Sequence, residues 1–328
     1  MLKFTSKGIY CKAGDFYIDP WKPVKKALIT HAHSDHARWG NQQYIAVETS
    51  KNILKHRLGD EINLATIKYG EPLTINGVKV SFHPAGHIIG SAQIRVEYKG
   101  EVWVVTGDYK LEKDGVSEDF EQLKCDTIIT ECTFGLPAFN WKPQTQIFEE
   151  INSWWQKNAE EGKASLLTAY SLGKAQRILK HLDGSIGPIF SHGAIYNTNE
   201  VLKEQVDYSL NTTLVTQETK KAATRNALII APPSAVNSTW ARKLKPFSLG
   251  VASGWMALRG ARRRRAADRG FVLSDHADWN GLNEAIKNSG AETIITTHGY
   301  TDIFTKWLQE QGYNAIQEKT LFDAESGE

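Results

Sequence analysis

The chain has 328 residues, 41% hydrophobic and 23% charged, with a formal net charge of +2. That length exceeds what one hydrophobic core usually covers, so two domains are expected, and no apolar run approaches the roughly 20 residues that span a bilayer. Three cysteines (Cys11, Cys125, Cys132) without CxxC spacing give no disulfide framework, and MLKFTSKGIYCKAGD lacks the pattern of a signal peptide; a reducing, cytoplasmic setting is the expectation, with metal chemistry left to histidine and carboxylate.

The first 135 residues read mainly as strands and tight turns. Ala27 to Thr30 is a short apolar run that opens into a histidine-rich loop. Pro72 to Ile75 and Val78 to Phe82 flank Asn76-Gly77, the dipeptide best suited to a type I′ hairpin, and Gln93 to Tyr98 and Glu101 to Thr106 flank Lys99-Gly100 in the same way. Thr127 to Thr130 is a buried-type strand ending at Glu131. Beyond Phe139 the pattern becomes an alternation of strands (Ser165 to Ala169, Pro188 to Ser191, Ala227 to Ala231, Phe247 to Ala252) and helices (Gly173 to Leu182, Asn199 to Glu204, and around Trp240). Such alternation predicts a small, mostly parallel α/β domain. After Gly270 come FVLSDHADW, a helical stretch and the strand TIITTH. The simplest organisation is one domain built from both chain ends, residues 1–138 and 270–328, with residues 139–269 inserted.

Charge is concentrated within the insertion. Between Ala241 and Gly270 nine Lys/Arg face one acidic residue, Asp268, so this stretch carries +8 while the whole chain carries +2. A phosphate-tracking surface requires that kind of concentration.

The chemistry-bearing motif is HAHSDH. His31, His33, Asp35 and His36 fall within six residues directly after a strand. In an extended loop residues two apart face the same way, so His31 and His33 can bind one ion while Asp35 and His36 reach a second. Imidazole nitrogen and carboxylate oxygen are ligands that zinc accepts. His87 in PAGHIIGSA, Asp108 at the end of VWVVTGD and His298 at the end of TIITTH supply what the loop lacks, Asp108 being well placed to bridge two ions.

HAHSDH followed by GHIIGSA, TGD and THG resembles the metallo-β-lactamase superfamily, which implies a four-layer αββα sandwich. The resemblance implies that His31, His33, His87 and Asp108 hold one metal, and that Asp35, His36, Asp108 and His298 hold another. Asp19 in FYIDPW matches an early aspartate that supports the loop by hydrogen bonding. Glu131 in IITECTFG and His276 in LSDHADW resemble the extra acid and histidine of the β-CASP nucleases, and the insertion resembles their nucleic-acid clamp domain. ASGWMALRGARRRRAADRGFVLSDHADW is similar to the bacterial ligase-associated DNA exonucleases, which implies DNA in preference to RNA, a repair role, and DNA ligase or helicase partners.

The chemistry this implies is hydrolysis of a phosphodiester by water activated between two divalent ions. Zinc is favoured by the His/Asp set, and manganese is able to serve at similar sites. Asp35 and Asp108 would serve that centre, and His276 would protonate or stabilise the leaving oxygen while Glu131 orients its imidazole. Nucleic-acid contacts are assigned to Ser171 and Lys174 at a helix N-terminus, to Trp255 as a stacking residue, and to Arg259, Arg262, Arg263, Arg264 and Arg265. An RNA-processing enzyme of the same fold, a small-molecule metallo-hydrolase and a non-catalytic nucleic-acid scaffold are the competing readings.

Overall fold

Asn76 and Gly77 adopt φ of 49° and 80°, and Lys99 and Gly100 adopt 53° and 84°. Two left-handed residues in succession are what a type I′ turn requires, so both expected hairpins form. They belong to the first of two units, Met1–Asn140 together with the chain from Asp275; Trp141–Ser274 forms the second. The computed structural model describes residues 1–264 and 266–320.

In the first unit one six-stranded sheet runs in sequence order through β1 (Leu2–Thr5), β2 (Gly8–Cys11), β3 (Phe16–Ile18), β4 (Ala27–Leu28), β5 (Tyr44–Val47) and β6 (Leu64–Ile67). A second, seven-stranded sheet holds β7 (Leu73–Ile75), β8 (Val78–Pro84), β9 (Ala92–Tyr98), β10 (Glu101–Val105) and β11 (Thr127–Cys132). It is completed by two strands from the far end of the chain, β18 (Thr293–Gly299) and β19 (Asn314–Gln317), in the order β19-β18-β11-β10-β9-β8-β7. β10, β11, β18 and β19 are parallel, with Val104, Ile128, Ile294 and Ala315 in register across the ladder.

Side-chain alternation assigns the two faces of this second sheet. Val105, Ile129 and Ile295 point to a core shared with Leu28, Ile45 and Val47 of the first sheet. Val104, Ile128 and Ile294, one residue earlier in each strand, point the other way. There they meet Leu282 and Ile286 of α7 (Trp279–Ser289) and Phe304 and Leu308 of α8 (Thr301–Glu310). On the first sheet the opposite-facing Tyr44 and Ala46 are buried too, and α1 (Lys51–Leu58) buries Ile53, Leu54 and Leu58. The architecture is the expected αββα sandwich.

The second unit is a parallel sheet ordered β14-β13-β15-β12-β16-β17. Its strands are β12 (Ala164–Thr168), β13 (Ile189–Ser191), β14 (Thr213–Leu214), β15 (Leu228–Ala231), β16 (Phe247–Ala252) and β17 (Arg269–Phe271). The helices include α3 (Lys174–His181) and α4 (Gly193–Leu202). β17 pairs Phe271 with Ala252, so this unit extends past Gly270 to Ser274. The sequence reading had no counterpart for α2 (Gln144–Glu160), which buries Ile147, Phe148, Ile151 and Trp155. Its apolar spacing is helical, but it starts at Pro143 without a side-chain cap, so the usual start signal is missing. Among the described residues no helix is long and apolar enough to cross a membrane.

Candidate metal centre

β4 ends at Leu28, and the chain then turns through Thr30 into HAHSDH. Asp19 fixes that turn. Its carboxylate accepts from the Thr30 amide (2.8 Å) and hydroxyl (2.5 Å) and pairs with His36 Nδ1 (2.8 Å). Asp19 itself holds a left-handed φ of 42°, an uncommon conformation retained because three hydrogen bonds over-determine it. Asp108 follows Gly107, whose φ is 57°; a Cβ there would lie 2.7 Å from Thr30 Cβ, so only glycine lets the two loops close on each other. Gly90 in GHIIGSA meets the same constraint against the Ser50 amide, at 2.7 Å.

His298 arrives by a different device. The β11–β18 register steps from Glu131–Thr297 to Cys132–Gly299, leaving His298 as an extra residue with φ of 55°. This is a bulge, and it re-aims one side chain out of an otherwise regular ladder. Gly299 follows at φ of 83°, where a Cβ would collide with the backbone of Cys132 and Thr133.

The side chains converge in two groups. The ligand atoms of His31, His33, His87 and Asp108 all lie within 4.8 Å of one another, as do those of Asp35, His36 and His298. Asp108 faces both groups with different oxygens. Its Oδ2 lies 3.5 Å from His31 Nε2 and 3.8 Å from His87 Nε2, whereas its Oδ1 lies 3.5 Å from His36 Nε2. His87 Nε2 and His33 Nδ1 are 3.1 Å apart. Four donors around one ion at zinc-like bond lengths stand roughly 3.3 Å from each other, so these spacings fit a metal. The remaining ring nitrogens are engaged outside the cluster: His31 Nδ1 with Thr30 Oγ1 (3.1 Å), His87 Nδ1 with the Asp275 carbonyl (2.8 Å). That fixes which nitrogen faces inward. Nε2 of His31 and of His36 are buried without a hydrogen-bond partner among the described residues, as ligand atoms awaiting a cation would be.

Electrostatics agree. Burial, then His36, hold the His31 imidazole well below its ordinary range, and burial, then His276, push His87 down to about 3. His298 is lowered by burial and by His36. His36 goes the other way: burial opposes its charge, but Asp108, Asp35 and Asp19 raise it well above the ordinary value. Burial also opposes the Asp108 anion, yet His36 and His276 keep its carboxyl well below the usual range. A histidine lowered on folding takes up fewer protons than its unfolded counterpart as pH falls below about 6.5, so it withdraws stability on acidification, whereas His36 contributes stability at low pH and loses it as pH rises. Three lowered residues oppose one raised. The chelator-treated protein is therefore expected to melt at a lower temperature at pH 5 than at pH 7, and His87→Gln to reduce that difference. A melting temperature that rises on acidification would contradict this balance.

Beside the two groups stands a third, Asp108, Glu131 and His276, again within 4.8 Å. His276 Nδ1 and Glu131 Oε1 are 2.8 Å apart, and Glu131 accepts from the amides of Tyr109 (3.0 Å) and Thr133 (3.2 Å). Both side chains are buried. A small, open pocket lies at this end of the sandwich, lined by Asp19, Trp21, Asp35, His36, Glu131 and His298 among others.

No protein-family model matches the chain. It is 30% identical over 314 residues, 94% of its length, to a probable DNA ligase of Opitutus terrae, of which the match spans 30%. It is 32% identical over 122 residues to the endoribonuclease YSH1 of Eremothecium gossypii (37% of this chain, 16% of that protein). To an RNase J-like protein of Methanocaldococcus jannaschii it is 26% identical over 225 residues (57% and 52%). The chain thus spans between about a sixth and about half of these relatives. A solved structure of a protein of unknown function from Enterococcus faecalis V583 superposes with a TM-score of 0.61 at 11% identity, covering 90% of this chain and 79% of that one, which speaks for the fold. The chain belongs to the β-CASP group of the metallo-β-lactamase superfamily.

In this β-CASP chain the nine residues singled out for metal binding and proton transfer all gather in the first unit. The residues assigned to nucleic acid are distributed differently. Lys174 is fully buried, its Nζ 5.1 Å from the centre of the Tyr170 ring, which removes it from the surface a phosphate would reach. Ser171 is half-buried, its carbonyl accepting from Gln176 Nε2, and Trp255 packs, partly buried, against the core of the second unit. Arg259 and Arg263 are exposed. Arg265, and the side chains of Arg262 and Arg264, lie outside the described residues. Sequence reasoning missed Thr30, which links Asp19, His31 and His36, and Arg57 of α1, which donates to the Ala32 carbonyl inside HAHSDH. Neither residue type carries a ligand signature, so only the fold brings them out.

Proposed function

We propose that the chain is a metal-dependent nuclease that hydrolyses a phosphodiester of nucleic acid, with two divalent ions, zinc by preference. The observation that carries this reading is Asp108, which presents one oxygen to each of two donor groups beside a buried His–Glu pair. His31, His33, His87 and Asp108 would hold one ion, and Asp35, His36, Asp108 and His298 the other. Bound there, the ions would lower the pKa of a water and neutralise the phosphate. Asp19 keeps His36 pointing inward through Nδ1. His276 donates from Nδ1 to Glu131 Oε1, which leaves Nε2 to give a proton to the departing oxygen. Two backbone amides hold the Glu131 carboxylate so that it orients the imidazole without rotating away. Burial of this pair excludes water that would otherwise compete for the proton.

DNA as substrate and a role in repair are supported by the similarity to a protein named as a probable DNA ligase, which also supports ligase association. The endoribonuclease and RNase J-like relatives favour RNA as the second reading. The exposed Arg259 and Arg263, in the strongly basic stretch, are suited to contact phosphates. End-labelled single-stranded DNA and RNA of one sequence decide between the polymers. Shortening of DNA that stops with chelator and resumes with added zinc or manganese is the expected result. Digestion of RNA alone would move the protein to RNA processing, and cleavage of neither, with metal bound, would defeat the nuclease reading.

A further inference from the structure

Trp39 is 76% exposed, the most exposed large hydrophobic side chain among the described residues. It stands three residues after His36, so its Cα lies within roughly 11 Å of that residue's Cα. The turn that carries it is pinned on both sides. The Tyr44 hydroxyl donates to the Arg38 carbonyl (2.7 Å) and accepts from the Asn41 amide (3.0 Å). Asn41 Nδ2 also donates to Arg38 O (3.2 Å), and Asn41 Oδ1 accepts from the Val24 amide (3.0 Å). Upstream, the Ala37 amide donates to the His33 carbonyl (2.8 Å). Tyr44 is itself buried, so the anchor is rigid. Exposure of Trp39 is therefore built in by the turn and is not the wandering of a loose loop.

A second observation connects this indole to the pocket. Trp21 lines the pocket beside Asp19 and His36 and is held by Nε1 donating to the Ser6 carbonyl (3.0 Å). Two residues on, Pro23 lies against Gly40, where an added Cβ would be 3.0 Å from Pro23 Cγ. The segment that lines the pocket thus packs against the turn that displays Trp39. An exposed indole on a turn that packs against the pocket-lining segment offers a flat apolar face, and every nucleobase has a π-face to cover it.

We propose that Trp39 is a base-stacking platform that holds an unpaired nucleobase of the substrate strand next to the scissile phosphate. The inference rests on the nuclease reading and assigns a residue that the metal chemistry does not need. Its test is binding of a fluorescein-labelled single-stranded DNA oligonucleotide, by anisotropy, to metal-loaded wild type, Trp39→Ala and Trp39→Phe. The same oligonucleotide carrying one abasic position at a time completes the series. Trp39→Ala is expected to weaken binding about ten-fold, as loss of one stacked base does, while Trp39→Phe keeps most of it. One abasic position should weaken wild type by a similar factor and leave Trp39→Ala unaffected. Equal affinity of wild type and Trp39→Ala, or undiminished sensitivity of Trp39→Ala to every abasic position, would overturn the proposal. Turnover measured in parallel separates the two readings. Wild type that binds but never cuts defeats the nuclease and leaves the stacking result standing, whereas normal cutting by Trp39→Ala with unchanged affinity defeats only the stacking. An oligonucleotide that wild type does not bind defeats both.

Discussion

Asp108→Ala is expected to lower turnover on the order of 10⁴-fold, about 5.4 kcal/mol of barrier, and to reduce bound metal from two ions per chain to one or fewer. The reason is geometric. Asp108 presents Oδ2 to the group around His31 and His87 and Oδ1 to the group around His36, so one substitution removes a candidate ligand from both. It also removes the carboxylate that raises His36 most, leaving Asp35 and Asp19 to hold that imidazole. Metal content by atomic emission and turnover on labelled oligonucleotide are the measurements. Two ions retained with activity lost would show that Asp108 acts on the reacting groups and does not bridge.

His276→Ala carries the second large effect, with the opposite signature. Metal content should stay at the wild-type level while kcat falls by about 10²- to 10⁴-fold, the range for loss of a positioned proton donor. Glu131→Gln keeps the shape but removes the negative charge that orients and stabilises the imidazolium, so it should fall in the same direction by less. The decisive control is the metal analysis, because Asp108, Glu131 and His276 form a compact group of their own. Metal lost from His276→Ala would make His276 a ligand and would reassign Glu131 with it.

Much of this site was legible in the sequence for a specific reason. His31, His33, Asp35 and His36 are local, and residues that close together with metal-binding side chains have little other use. Asp108, Glu131 and His298 could be placed because each ends an apolar run, and strand ends are where a sandwich presents side chains at one edge. The surface residues fared differently. Lys174 looked like a helix-terminal phosphate ligand, but the same helix buries Ala175, Ile178 and Leu179, and its first turn is drawn into the core with them. Trp255 and Trp39 are indistinguishable by composition. One packs against the core beside Met256 and the other is held in water by Tyr44 and Asn41, and only tertiary contacts separate the two. In the fold, α2 escaped because no capping side chain precedes it, and the insertion, read as residues 139–269, runs on through β17, a strand tied to β16 by hydrogen bonds that the sequence does not display.

The split of the first unit across the chain has a consequence for how the protein comes into being. Asp108 and the HAHSDH loop are synthesised early, but His276 and His298 follow only after the whole of Trp141–Ser274. At roughly 5–20 residues per second that insertion takes on the order of ten seconds to translate. Throughout that interval β11 has no β18 beside it, and the bulge that aims His298 does not exist. The nascent polypeptide thus carries most of the candidate donors in an incomplete set, which is completed in a single late event, when the returning strands add to the sheet. On the proposed function, any truncation ahead of β18 would leave the HAHSDH loop and Asp108 without the His276 and His298 they are to work with.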